Sequence, residues 1–226
     1  MVVVYFVPEW FFKASITLEL IFAAITFAIS FYAYKIYKLS QQREHYLFSV
    51  GFLLTAASYV IWALLNIFLL SHIDNNLLVL AIEKVNFLKT YTLYTHIILL
   101  MVGLSTLIYT TIKTKSKRLF LLINALAILP ILASENTVSV FYLTTSILLA
   151  YLVIHYINEY QIGRQKKTAL VMLGFLFIFF GSLDFTLGSG TALYYALGHI
   201  LKAIGYILLL ASLFIIMYYG KKKNKT

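Results

Sequence analysis

Six polar side chains, Glu19, Asn66, His96, Asp184, His199 and Lys202, interrupt long apolar runs of this sequence. A charge inside hydrocarbon costs several kcal/mol, so such groups normally face a bundle interior, pair with one another and mark a site. With Lys89 they form a set able to compensate its own charge, hold a small polar ligand or pass a proton. Lys202 follows His199 by three residues, which puts both on one helix face. Glu19 and Lys202 read either as parts of a ligand site or as a structural ion pair joining the first and last helices. His96 and His199 read as tautomer-fixed hydrogen-bonding residues, as axial haem ligands, or as part of a metal site. Two histidines on separate helices do not reach the usual ligand number, so no metal is expected. Tyr91, Tyr94, Tyr194 and Tyr195 are placed to line a mouth, or to form part of an interfacial belt with Lys89 and Asp184.

The elements that must position these groups are membrane helices. Of 226 residues, 62% are hydrophobic and 12% charged, about half the charged fraction of an ordinary soluble domain. The apolar stretches have the length that a hydrocarbon layer of ~30 Å demands of a helix, and they lack the alternation of a barrel strand. The spacing predicts an all-α integral membrane protein, one seven-helix bundle over residues 1–226. Its spans are 14–36, 46–70, 87–112, 119–133, 137–157, 168–187 and 192–218, with a basic tail at 219–226. The fourth is short and holds Pro130. Fourteen of the eighteen Lys and Arg fall in alternate connections, at Lys35 to Arg43, Lys113 to Arg118, Arg164 to Lys167 and Lys221 to Lys225. The positive-inside rule then puts the N-terminus outside and the tail in the cytoplasm of a cell membrane. Omitting the fourth span would put the first two basic connections on the opposite side from the last two. The segment from His72 to Asn86 reads as a surface helix or an outward extension of the third span.

Other chemistries find no support in the residues. Cysteine is absent, which excludes disulfides, thiolate sites and Cys nucleophiles. No catalytic motif is present, so no enzyme is expected; the Gly188 to Gly190 turn is no recognised phosphate cradle. The net charge of +10 lies in short connections between spans, so topology, and not nucleic acid, accounts for it. The N-terminus lacks a basic leader and cleavage site, and Pro8, Trp10, Phe11 and Phe12 look interfacial. Ser58, Thr92 and Ser105 are expected to bond their own helix or a neighbour.

Two similarities bear on function. Tyr91 to Leu99 matches Tyr194 to Lys202 about His96 and His199, and Gly51-Phe-Leu-Leu echoes Gly174-Phe-Leu-Phe. Spans one to three and five to seven thus read as parallel repeats around an odd fourth helix. The run from Leu197 to Tyr206, with its Gly-His-x-x-Lys pattern, resembles the last helix of the membrane-associated sensor domains of prokaryotic histidine kinases and diguanylate cyclases. That resemblance implies a receptor-like sensory protein, binding a small ligand, lipid or proton in its outer half and signalling through a separate cytoplasmic partner. The same helix resembles that of microbial rhodopsins, which implies retinal on Lys202. Against it, Gly198 replaces an acid four residues before the Lys, and spans three and six lack Trp. The alternative to a sensor is a small-solute transporter of three-plus-one-plus-three design, similar to the sugar-efflux family.

Overall fold

The computed structural model describes residues 9–73, 82–112, 114–187 and 192–223, with backbone alone at 9, 10, 12, 69–73, 82–86, 192 and 217–223. These residues form seven helices: α1 (Glu9–Ser40), α2 (Arg43–Ile73), α3 (Ile82–Thr111), α4 (Lys117–Ala133), α5 (Thr137–Gly163), α6 (Lys166–Leu187) and α7 (Ala192–Lys223). All but α4 are long and apolar enough to cross a membrane, so the chain is a multi-pass membrane protein. The helices outrun the apolar segments because backbone hydrogen bonding continues past the point where hydropathy falls. Of the segment from His72 to Asn86, residues 82–86 extend α3, while 74–81 lie outside the described residues. So do 1–8, the Gly188 to Thr191 turn and the last three residues of the tail.

Local chemistry sets the helix ends. Asn136 and Ser116 cap α5 and α4 by accepting from the Ser139 and Leu119 amides, each at 3.3 Å. Gln41 and Arg164 stop α1 and α5 in the left-handed conformation, at φ 55° and 44°, and each donates its amide to the fourth preceding carbonyl at 2.7 Å.

Successive helices are antiparallel except where α4 intervenes. Phe11 meets Tyr195, Phe22 meets Tyr206 and Tyr32 meets Phe214, so α1 and α7 run parallel. His96 meets Phe141 and Thr111 meets Tyr151, so α3 and α5 run parallel too. The first helix of each three-helix half therefore packs on the third helix of the other. Six helices form a ring in the order α1, α2, α3, α5, α6, α7, and α4 packs outside against α3 and α5. The Lys- and Arg-rich connections share one end, called the basic end below.

Within each half the same seam recurs. A Cβ at Gly51 would meet Leu107 Cδ2 at 2.7 Å and the Gly103 carbonyl at 3.0 Å; one at Gly174 would meet Leu209 Cδ2 at 2.8 Å and the Gly205 carbonyl at 3.0 Å. Bare glycine surfaces let the backbones touch there. Phe22 and Thr26 of α1 find counterparts in Phe141 and Thr145 of α5, where each Thr hydroxyl donates to the Phe carbonyl at 2.6 and 2.7 Å. The register differs by one residue from the His-to-His match in the sequence. Because Gly103 corresponds to Gly205, His96 corresponds to Gly198, and His199 falls opposite Ile97.

Candidate functional site

Each ring helix presents a narrow inward stripe. In α1 it is Ser15, Glu19, Phe22, Thr26, Ile29 and Ala33; in α7 it is His199, Lys202, Tyr206, Leu209 and Leu213, all buried. This is helical spacing carrying polar residues at the end opposite the basic connections and apolar ones toward it.

Glu19, His96, His199 and Lys202 converge, each no more than 6% exposed, around a cavity of about 30 Å³. Trp62, Tyr142, Phe185 and Tyr195 are among its other walls. Asn66 Nδ2 donates to the Glu19 carboxylate at 2.9 Å, and the Trp62 side chain approaches the same group. The Lys202 ammonium lies 4.4 Å from the Phe185 ring centroid and 5.2 Å from that of Tyr142. Among the described residues it makes no hydrogen bond or ion pair. Glu19 feels its charge across the cavity, beyond contact distance. The structural ion pair considered from sequence is thus not a direct one; it is an acid and a base facing each other over a space large enough for water.

The histidine tautomers follow from their partners. His96 Nδ1 lies 3.0 Å from the Ser58 carbonyl and His199 Nδ1 3.0 Å from that of Tyr195. Carbonyls only accept, so Nδ1 is the protonated nitrogen in each, and a neutral ring leaves Nε2 as a lone pair toward the cavity. Ser58 Oγ stands 2.7 Å from His96 Nδ1 and donates to the His96 carbonyl at 2.9 Å. Carboxylate, ammonium and two imidazole lone pairs around so small a space compose a setting for water and a mobile proton.

The structure corrects several expectations. Asp184 is half-buried and does not line the cavity; its height on α6 is right, but its face points elsewhere. Phe11 is buried, not interfacial, with its ring 5.7 Å from His199 and 5.9 Å from Tyr195. Of the tyrosines read as mouth or belt residues, Tyr91 and Tyr194 are exposed, which agrees with the belt alternative, while Tyr195 lines the cavity. Ser105 Oγ finds no partner among the described residues. Sequence reasoning also missed Trp62, although Tyr59, Trp62 and Asn66 stand at helical spacing on one face. No group of three potential ligands gathers for a metal among the described residues. Sites for large organic groups occupy roughly 300–1,000 Å³. A cavity of about 30 Å³ at Lys202, His96 and His199 fits neither retinal nor haem.

A second space lies at the basic end. It measures about 550 Å³, has walls from all six ring helices and includes Glu44, His45, His155, Glu159, Lys167 and Ser212 at its lining. Its floor holds Phe52 and Leu209. Between floor and cavity Tyr59 and Tyr206 share a hydrogen bond of 2.8 Å, and Phe22 packs on both rings. Phe52 precedes Tyr59 by seven residues, so about 10 Å of helix separates the levels.

No family model matches this chain, and neither does a curated protein or a solved structure. The arrangement therefore stands on its own chemistry: a closed polar cavity and a wide chamber on one axis, with a tyrosine pair between them.

Proposed function

We propose that the chain is a carrier of a small solute across the cell membrane, seen with its solute chamber toward the cytoplasm. The observation that supports this most is the chamber of about 550 Å³ on the axis between two similar three-helix halves, facing a sealed polar site at the other end. Rigid halves, zipped by their glycine seams, meet each other through helix pairs that lack such seams; rocking at those pairs would close one end and open the other. The helices cross seven times, with the N-terminus outside. Parallel α3 and α5 require α4 to return the chain from one end to the other. Its 17 residues span about 25 Å. The basic connections gathered at one end support a cytoplasmic placement.

The test is reconstitution into liposomes and light-scattering measurement of swelling in isosmotic amino acids, polyamines, sugars and polyols. Swelling in one class, lost on cross-linking α1 to α7, is expected. Absence of swelling in all four, with co-purification of a cytoplasmic protein, would favour the second reading, a receptor-like sensor without enzymatic activity of its own. What favours that reading is the sealed, 30 Å³ cavity, which suits detection of a proton better than passage of a solute.

A further inference from the structure

The charges of the sealed cavity are divided between the halves. Glu19, with Asn66 and Trp62 at its carboxylate, belongs to α1 and α2. Lys202 belongs to α7 and is held over rings from α5 and α6. The histidines straddle the same boundary: His96 of the first half packs on Phe141 of the second, and His199 of the second stacks on Phe22 of the first. Any motion that opens this end must pull Glu19 away from Lys202. Inside a poorly solvated site the attraction between opposite charges resists that separation.

We propose that Glu19 is the proton-binding group of this carrier and that the Lys202 ammonium is the opposite charge it faces across the cavity. Together they form an electrostatic latch that a proton from the outer side releases. The Glu19 carboxylate takes a proton from outside water and becomes a neutral carboxyl. The attraction across the cavity then falls away, the outer end opens, and when the site next faces the chamber the proton leaves to cytoplasmic water. The groups facing Glu19 suit this role. From α2 come Tyr59, Trp62 and Asn66; from α3, His96; from α5, Tyr142; from α7, Tyr195, His199 and Lys202; α6 offers Phe185. Lys202 is the one amine in that set. The two Nε2 lone pairs give water in the cavity acceptors along which a proton can be passed.

This inference rests on the carrier reading, and a cysteine-free chain allows the two to be tested apart. Thr145→Cys places a thiol at the sealed cavity and Ser212→Cys places one at the chamber. The rate of N-ethylmaleimide reaction is measured at each, in the full chain, and normalised to the same thiol in denatured protein. Glu19→Gln, which mimics the protonated acid, is expected to raise the Thr145→Cys rate about tenfold, within the range of ordinary coupling energies. It should lower the Ser212→Cys rate correspondingly. Acidification should have the same effect in the Glu19 protein and none in Glu19→Gln. Lys202→Met should open the outer end in the same direction, which keeps the test alive where Glu19→Gln folds poorly. Equal Thr145→Cys rates with and without Glu19, or an acid response that persists in Glu19→Gln, would overturn the latch. Reciprocal labelling that ignores Glu19 would do so while leaving the carrier standing. A Glu19-dependent rise at Thr145→Cys with no change at Ser212→Cys would uphold the latch and remove the carrier.

Discussion

The two ends of the ring are built from corresponding helices yet solve opposite problems. At the end opposite the basic connections polar side chains are almost fully buried and close on a space for one or two waters; at the basic end Glu44, Glu159 and Lys167 stand exposed around a wide chamber. The difference lies in what crosses between the halves. Around the small cavity the contacts between α1 and α7 are large aromatic rings, with Phe11 and Phe22 against Tyr195, His199 and Tyr206. Lower down Tyr32 still meets Phe214, but the inward faces of the two helices carry Ile29 and Ala33, and Leu209, Ser212 and Leu213, which line the chamber. On the inward faces, rings fill the axis at one end and smaller side chains leave it open at the other. Within the halves, glycine seams bring backbones together where Gly51 meets Gly103 and Gly174 meets Gly205, and again where Gly181 meets Gly198 in the second half.

The largest expected effect breaks a seam. A Cβ at Gly205 would lie 2.6 Å from the Gly174 carbonyl and 3.0 Å from the Ile178 amide nitrogen, both backbone atoms with little freedom to retreat. Gly205→Val should cost about 3 kcal/mol, read as a fall in Tm in detergent. Gly163→Ala meets only the Gln165 side chain, at 3.9 Å, and should be neutral or slightly stabilising. A seam that tolerates valine would mean that the halves are not the rigid units.

Next comes the sealed end itself. Lys202→Met removes the charge that faces the buried Glu19 carboxylate and leaves that acid without a counter-charge. It should lower stability by about 2 kcal/mol, read as a fall in Tm, while abolishing swelling and the response to acid. An unchanged or higher Tm would show instead that the two groups do not stabilise each other in the closed state. The divider is smaller: Tyr59→Phe removes one hydrogen bond to Tyr206 and should cost about 1 kcal/mol. It should also raise the Ser212→Cys labelling rate if the pair closes the chamber floor.

How much of this was legible in the sequence follows from what hydropathy and spacing encode. Apolar runs and the alternation of basic connections outlined every helix, because lipid demands length and the two faces of the membrane differ in charge. Glu19, Asn66, His96, His199 and Lys202 were identified because polarity within hydrocarbon is conspicuous. Asp184 was conspicuous for the same reason and yet faces away, since hydropathy reports depth and not azimuth. Tyr142 and Phe185 were invisible as site residues, because an aromatic ring in an apolar run carries no mark of which neighbour it will face; Trp62 was legible only through the helix face it shares with Asn66. The chamber was missed because Glu44 and Glu159 look like ordinary connector acids until six helix ends are drawn together.

The smallest expected effect tests whether the two ends sense each other's charge. Glu44 and Glu159 are exposed at the chamber, so water and salt screen them, and neutralising either should change stability by less than about 0.5 kcal/mol. Glu19 removes the same unit of charge from a site with almost no water. If solvation, and not position along the axis, decides which acid acts as the latch, Glu159→Gln should leave the Thr145→Cys labelling rate unchanged where Glu19→Gln raises it. A rise with Glu159→Gln would mean that the field of the chamber reaches through the tyrosine layer. The latch would then be a property of the whole axis and not of the sealed cavity.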